Sequence, residues 1–161
     1  MKLGNKTDFL LFAHQPRENC MSAASPTNSP SKAQTVLLVD DDEFSRDVMI
    51  GMLEELGISK IRTAVDGNDG LRVLKEMPEA PDVLICDILM PDMDGMSFLT
   101  ELAKIKYQGR VALISGIDSD ILSIAEKVVR DDGLQIIGAF LKPIKLTHLS
   151  QMVSAASAEV S

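Results

Sequence analysis

Tryptophan is missing, and one tyrosine with five phenylalanines brings the aromatic share to only 4% of 161 residues. A core here must be filled by Leu, Ile, Val and Met, within an apolar share of 45%. Basic side chains are also scarce: 16 Lys and Arg stand against 24 Asp and Glu, for a net charge of -8. That balance argues against a nucleic-acid partner, since phosphate backbones select basic surfaces. The two cysteines, Cys20 and Cys86, have no CxxC spacing and no cluster of His or Cys nearby, which excludes a zinc site of the usual pattern. Cys86 reads instead as a small buried hydrophobe. No apolar run approaches the roughly 20 residues of a membrane span. The short "FLLFA" at Phe9 to Ala13 is too brief for a secretory h-region, and no small-residue cleavage site follows it closely. The expectation is a cytoplasmic chain with neither a membrane nor a nucleic-acid partner.

What is present is a chain long enough for one domain with a sizeable core. Residues 1–33 show no period and become rich in Ser, Pro, Asn and Ala, so they are expected to form a disordered tail. Met21 opens the Ser/Pro-rich part and is an alternative start of translation. Residues 34–158 are expected to fold, with 159–161 as a C-terminal tail.

From Thr35 onward, short apolar runs alternate with stretches of helical period. "TVLLV" (Thr35 to Val39) and "DVLIC" (Asp82 to Cys86) are continuous apolar runs, which predicts strands buried on both faces. "KIRTAV" (Lys60 to Val65), "RVALI" (Arg110 to Ile114) and "LQIIGAFL" (Leu134 to Leu141) supply three more strands. Between them, Phe44, Val48, Met49, Met52, Leu53 and Leu56 predict the inner stripe of a helix stopped by Gly57. Leu71 and Leu74 mark a short helix ended by Pro78, and Met96, Leu99, Leu102 and Ala103 the next. Ile121, Leu122, Ala125, Val128 and Val129 predict a helix closing near Gly133, and Leu146, Leu149, Met152 and Val153 the last. Five strands alternating with five helices imply right-handed crossovers and a parallel sheet covered on both faces.

In such sheets ligands bind beyond the carboxyl ends of the strands. Asp40, Asp41 and Asp42 follow the first strand, Asp87 the third, Ser115 and Gly116 the fourth, and Lys142 the fifth. Each has an ordinary reading alone. Asp87 opens a turn rich in Pro, Asp and Gly ("VLICDILMPDMDG"), Asp42 suits a helix N-cap, Ser115 a loop hydroxyl, and Lys142 before Pro143 a surface position. Gathered on one rim, they need another explanation. Two carboxylates about 4 Å apart repel by roughly 4 kcal/mol at an effective dielectric near 20, so the cluster requires a cation or a raised pKa. Lys142 alone cannot balance them. An all-oxygen site suits magnesium, which binds readily together with phosphate. Asp87 would then attack a phosphoryl group, Lys142 would hold it, and Ser115 would donate a hydrogen bond to it.

The motifs "VLLVDDD", "VLICDILMPDMDG", "ALISG" and "FLKP", in that order at those strand ends, resemble the receiver domain of two-component response regulators over Thr35 to Ala156. The resemblance implies a flavodoxin-like (βα)5 sandwich with strand order 2-1-3-4-5. It implies Asp87 as phosphoacceptor, and Mg2+ held by Asp41 and Asp87 directly, by Asp40 through water and by the Leu89 carbonyl. Ser115 and Lys142 would read the phosphate, with a cis bond between Lys142 and Pro143. The implied donor is a sensor histidine kinase or histidine phosphotransfer protein, because neither His14 nor His148 has the setting of a phosphohistidine and both read as solvated. The implied output is a changed surface around the last two helices and the fifth strand, offered to an output protein that the sequence does not name.

Three positions bear on variation within that family. Ala139 stands where many receivers carry Tyr or Phe, and Phe140 points to the opposite strand face. Leu89 and Ile117 place apolar side chains near the site, which predicts a long-lived phosphorylated state. Leu89 also occupies the place where haloacid-dehalogenase-like hydrolases put a second Asp, which disfavours that enzyme class. Because the chain ends soon after the fifth helix, a stand-alone receiver is expected rather than one joined to an output domain, with a fragment of a longer protein as the alternative.

Overall fold

The computed structural model describes residues 34–90, 94–116 and 118–158. The expected tails, the alternative start at Met21, His14 and Ile117 lie outside the described residues. Strands β1 (Thr35–Val39), β2 (Lys60–Ala64), β3 (Val83–Asp87), β4 (Arg110–Ser115) and β5 (Gln135–Leu141) alternate with helices α1 (Glu43–Glu55), α2 (Gly67–Glu76), α3 (Gly95–Lys104), α4 (Ser119–Asp131) and α5 (Leu146–Ala158). The strands form one sheet in the order β2-β1-β3-β4-β5, and every pairing is parallel. This is the expected flavodoxin-like topology.

Strand alternation builds two cores. Leu37, Val39, Leu84, Cys86, Val111 and Leu113 face one side and pack against α2, α3 and α4 through Val73, Phe98, Leu99, Leu102, Leu122 and Val129. Val36, Leu38, Ile85, Ala112 and Ile114 face the other and meet Met49 and Leu53 of α1 and Leu149 and Met152 of α5. Burying each such side chain is worth about 1.5–3 kcal/mol, which is why runs apolar on both faces become central strands. Gly57 and Gly133, at φ of 88° and 99°, end α1 and α4 as expected, in a conformation that costs glycine nothing.

Several expected inward residues point outward. Phe44 and Val48 are 75% and 41% exposed, because the buried stripe of α1 is narrower and runs through Met49 and Leu53. On α4, Leu122, Ala125 and Val129 are buried, which leaves Ile121 and Val128 in solvent. Conversely, Phe98 of α3 is fully buried with its ring against Gly70 of α2, where an added Cβ would lie 2.9 Å from the ring. His148 is half-buried rather than solvated: its ring lies 5.4 Å from that of Phe140, and its Nδ1 accepts the Lys145 N–H.

Candidate functional site

The sheet order reverses between β1 and β3, so the crevice lies where Asp40 follows one strand and Asp87 ends the other. Asp40 is fully buried, with its N–H donating to the Ala64 carbonyl at 3.1 Å. Its Oδ1 accepts the Asp42 N–H at 2.9 Å. Its Oδ2 accepts both the Ser45 hydroxyl and the Lys142 ammonium, each at 2.8 Å. Asp42 occupies the N-cap position of α1 but makes no side-chain capping bond; its backbone serves Asp40 instead.

Asp87 is 3% exposed. Its Oδ1 accepts the Leu89 N–H at 3.0 Å and its Oδ2 takes the same Lys142 ammonium at 2.7 Å. The backbone around it is locked. Ile88 N–H donates to the Ile114 carbonyl, and Gly95 N–H returns to the Ile88 carbonyl at 2.8 Å. A Cβ on Gly95 would sit 2.3 Å from the Asp87 carbonyl oxygen, so only glycine allows α3 to start this close to the strand end.

Lys142 is placed by its backbone: its N–H donates to the Ser115 carbonyl at 2.8 Å, and the bond to Pro143 is cis, as expected. Ser115 is fully buried at the end of β4, opposite Leu141. Asp41 is exposed, yet its carboxylate and those of Asp40 and Asp87 bring oxygens within 4.8 Å of one another. Asp40, Asp41, Asp87, Ser115 and Lys142 thus converge on one edge. Leu89 is half exposed beside them.

The electrostatics are lopsided. One ammonium bridges two buried carboxylates while a third stands alongside. Burial pushes the Asp87 carboxyl up, and the Lys142 ammonium and Leu89 N–H only partly oppose it. Burial works against the Lys142 charge, but hydrogen bonds to Asp40 and Asp87 outweigh it and raise its pKa. An all-oxygen set of this kind, partly buried and still open at Asp41, fits a small hard divalent cation.

Two residues of the site were missed in the sequence. Besides Ser45, Arg46 donates from Nη1 to the Asp40 carbonyl at 2.7 Å. The signal was available, because helical side chains lean toward the N-terminus and those in the first turn of α1 reach back over the strand end.

Comparison with known proteins agrees with this geometry. Residues 36–154 match the family model "Response regulator receiver domain". A probable C4-dicarboxylate response regulator, DctR, of Bacillus subtilis is 31% identical over 74% of this chain and 50% of its own length. The chain therefore spans about half of that relative. Among solved structures, a response regulator receiver domain protein from Clostridium thermocellum superposes with a TM-score of 0.67 at 27% identity, covering 79% of this chain and 96% of that one. CheY from Borrelia burgdorferi, crystallised as a CheX-CheY-BeF3-Mg complex, gives 0.67 at 26% identity over 77% of this chain and 89% of that one. With the family matched along most of its length and its strand order reproduced, this chain belongs to the response regulator receiver domains of two-component systems.

Proposed function

We propose that Asp87 accepts a phosphoryl group from a phosphohistidine on a sensor histidine kinase or histidine phosphotransfer protein. A carboxylate oxygen of Asp87 attacks phosphorus, the P–N bond to the imidazole breaks, and the imidazole leaves with the electron pair and takes up a proton. An acyl phosphate remains on Asp87. Later attack by water on phosphorus releases inorganic phosphate and restores the carboxylate, so the chain acts as a signalling phosphoacceptor.

The Lys142 ammonium held between Asp40 and Asp87 carries this reading. It stands within reach of the acceptor oxygen and can move from Asp40 to the incoming phosphoryl oxygens as a point charge. Ser115, at the end of β4, donates to the same group. Mg2+ would be held by Asp41, Asp87 and the Leu89 carbonyl, with Asp40 behind a water; bound there, it offsets the charge of the acceptor and of the phosphoryl oxygens. The BeF3 and Mg named for the Borrelia burgdorferi relative support that assignment.

The donor protein docks over the apolar rim beside the acceptor. Phe44, Val48, Met49, Pro143 and Ile144 line a cavity of about 370 Å³ there, and exposed Phe44 invites burial by an apolar partner face. Output runs through changed contacts on α4, β5 and α5, where Ile121, Ile124 and Leu141 are exposed. Ala139 packs with the α2–α4 core and Phe140 with the other, so the aromatic ring of β5 lies on the strand face opposite Ala139.

A purified phosphohistidine domain tests the transfer. The expected result is movement of its phosphoryl group to this chain and none to Asp87→Ala. Equal labelling of the variant contradicts the assignment.

A further inference from the structure

Asp40 has three protein donors on two oxygens: Asp42 N–H on Oδ1, and Ser45 Oγ–H with Lys142 Nζ on Oδ2. The proposed chemistry needs one of these to leave, because Lys142 must turn from Asp40 to the phosphoryl oxygens. A fully buried carboxylate that loses a donor either finds a replacement or rotates toward one. Ser45 is placed to prevent that. Its hydroxyl sits on the very oxygen that Lys142 vacates, and it comes from the first turn of α1, whose neighbouring Arg46 is tied to the Asp40 carbonyl at 2.7 Å. Both ends of Asp40, carbonyl and carboxylate, are thus gripped by consecutive residues of one helix.

We propose that Ser45 is a positioning residue for the acceptor site: it holds the Asp40 carboxylate in place when Lys142 departs, so that Asp40 keeps its orientation toward the bound cation. Ser45 hydrogen-bonds Asp40 and acts through it. This rests on the reading of Asp87 as a magnesium-dependent phosphoacceptor, which the same experiment tests separately.

The experiment compares the full chain with Ser45→Ala, which removes the donor, and Ser45→Thr, which keeps a hydroxyl on the helix. Mg2+ binding is measured by calorimetry without any phosphodonor, beryllofluoride binding is then measured in saturating Mg2+, and the urea midpoint is followed for each variant. Loss of a hydrogen bond to a direct metal ligand typically costs roughly 10- to 100-fold in affinity, and Asp40, placed behind a water, sets the lower end of that scale. The alanine variant is expected to weaken beryllofluoride by up to about tenfold, since Lys142 has then left Asp40 and Oδ2 keeps no donor, and to weaken Mg2+ alone by less. Ser45→Thr is expected to restore both toward the native values, and neither variant should shift the urea midpoint in proportion.

Native-like beryllofluoride binding by Ser45→Ala overturns the role of Ser45, as does equal loss in both variants or a loss matched by unfolding. If the unaltered chain itself binds neither Mg2+ nor beryllofluoride, the phosphoacceptor reading is what fails.

Discussion

The Lys142 ammonium stands 2.7 Å from an Asp87 oxygen and 2.8 Å from an Asp40 oxygen, a single cation shared by two buried carboxylates from different strand ends. Removing it leaves two buried carboxylates without the cation they share. Lys142→Met is therefore expected to lower stability by about 3 kcal/mol in chelator, the usual scale for breaking a buried pair. Added Mg2+ should recover part of that loss, because a ligand of the folded state stabilises by mass action. Urea unfolding with and without the metal measures both effects.

The start of α3 makes a steric prediction. Gly95→Ala places a methyl 2.3 Å from the Asp87 carbonyl oxygen and 2.5 Å from the Ile88 Cα, both backbone atoms with little freedom to yield. A loss of about 2–3 kcal/mol is expected, together with slower phosphorylation. Gly51→Ala is the control: it lies on the exposed side of α1 with nothing within 4 Å of the added carbon, and should gain about 0.5–1 kcal/mol.

Asp69 sets a pH dependence away from the acceptor. It is partly buried, which raises a carboxyl pKa, but the Arg72 side chain and the Val65 N–H outweigh this and hold it below its ordinary value of 3.8. A depressed pKa means that the unfolded chain binds the proton more tightly. The contribution of Asp69 is therefore complete above pH 3.8 and fades as acid titrates the folded state below it. Asp69→Asn should cost about 1 kcal/mol at neutral pH and progressively less on acidification. Unfolding midpoints measured from neutral to acid pH check this, and a constant difference contradicts it.

Leu89 lies two residues past Asp87 and is 50% exposed, an apolar side chain at the mouth of the site. Replacing it with Asn is expected to shorten the lifetime of the phosphorylated protein several-fold by admitting water. Release of phosphate after the donor is removed gives that lifetime directly; an unchanged or longer one contradicts the shielding role.

Much of this was legible from residue order. "TVLLV" and "VLICD" are apolar on both faces, so they could only be central strands, and their ends delivered Asp40 and Asp87 to one edge. Helical faces were read less well. Phe44 and Val48 fall within the apolar arc of α1, but periodicity does not say which flank of an arc is covered, and here it borders an open cavity. Phe98 escaped notice because its place in the core depends on Gly70, a gap in another helix that no local pattern reveals. Ser45 and Arg46 were not singled out from the sequence. Their place in the first turn of α1 was a signal, and the fold shows its result in their hydrogen bonds to Asp40.

The most direct test is chemical. Incubation with acetyl phosphate and Mg2+, followed by intact-mass analysis and peptide mapping, should give an acid-stable, base-labile gain of one phosphate on Asp87. Chelator or Asp87→Ala should abolish it. A protein that stays unmodified, or is modified equally without the metal or without Asp87, contradicts the phosphoacceptor assignment.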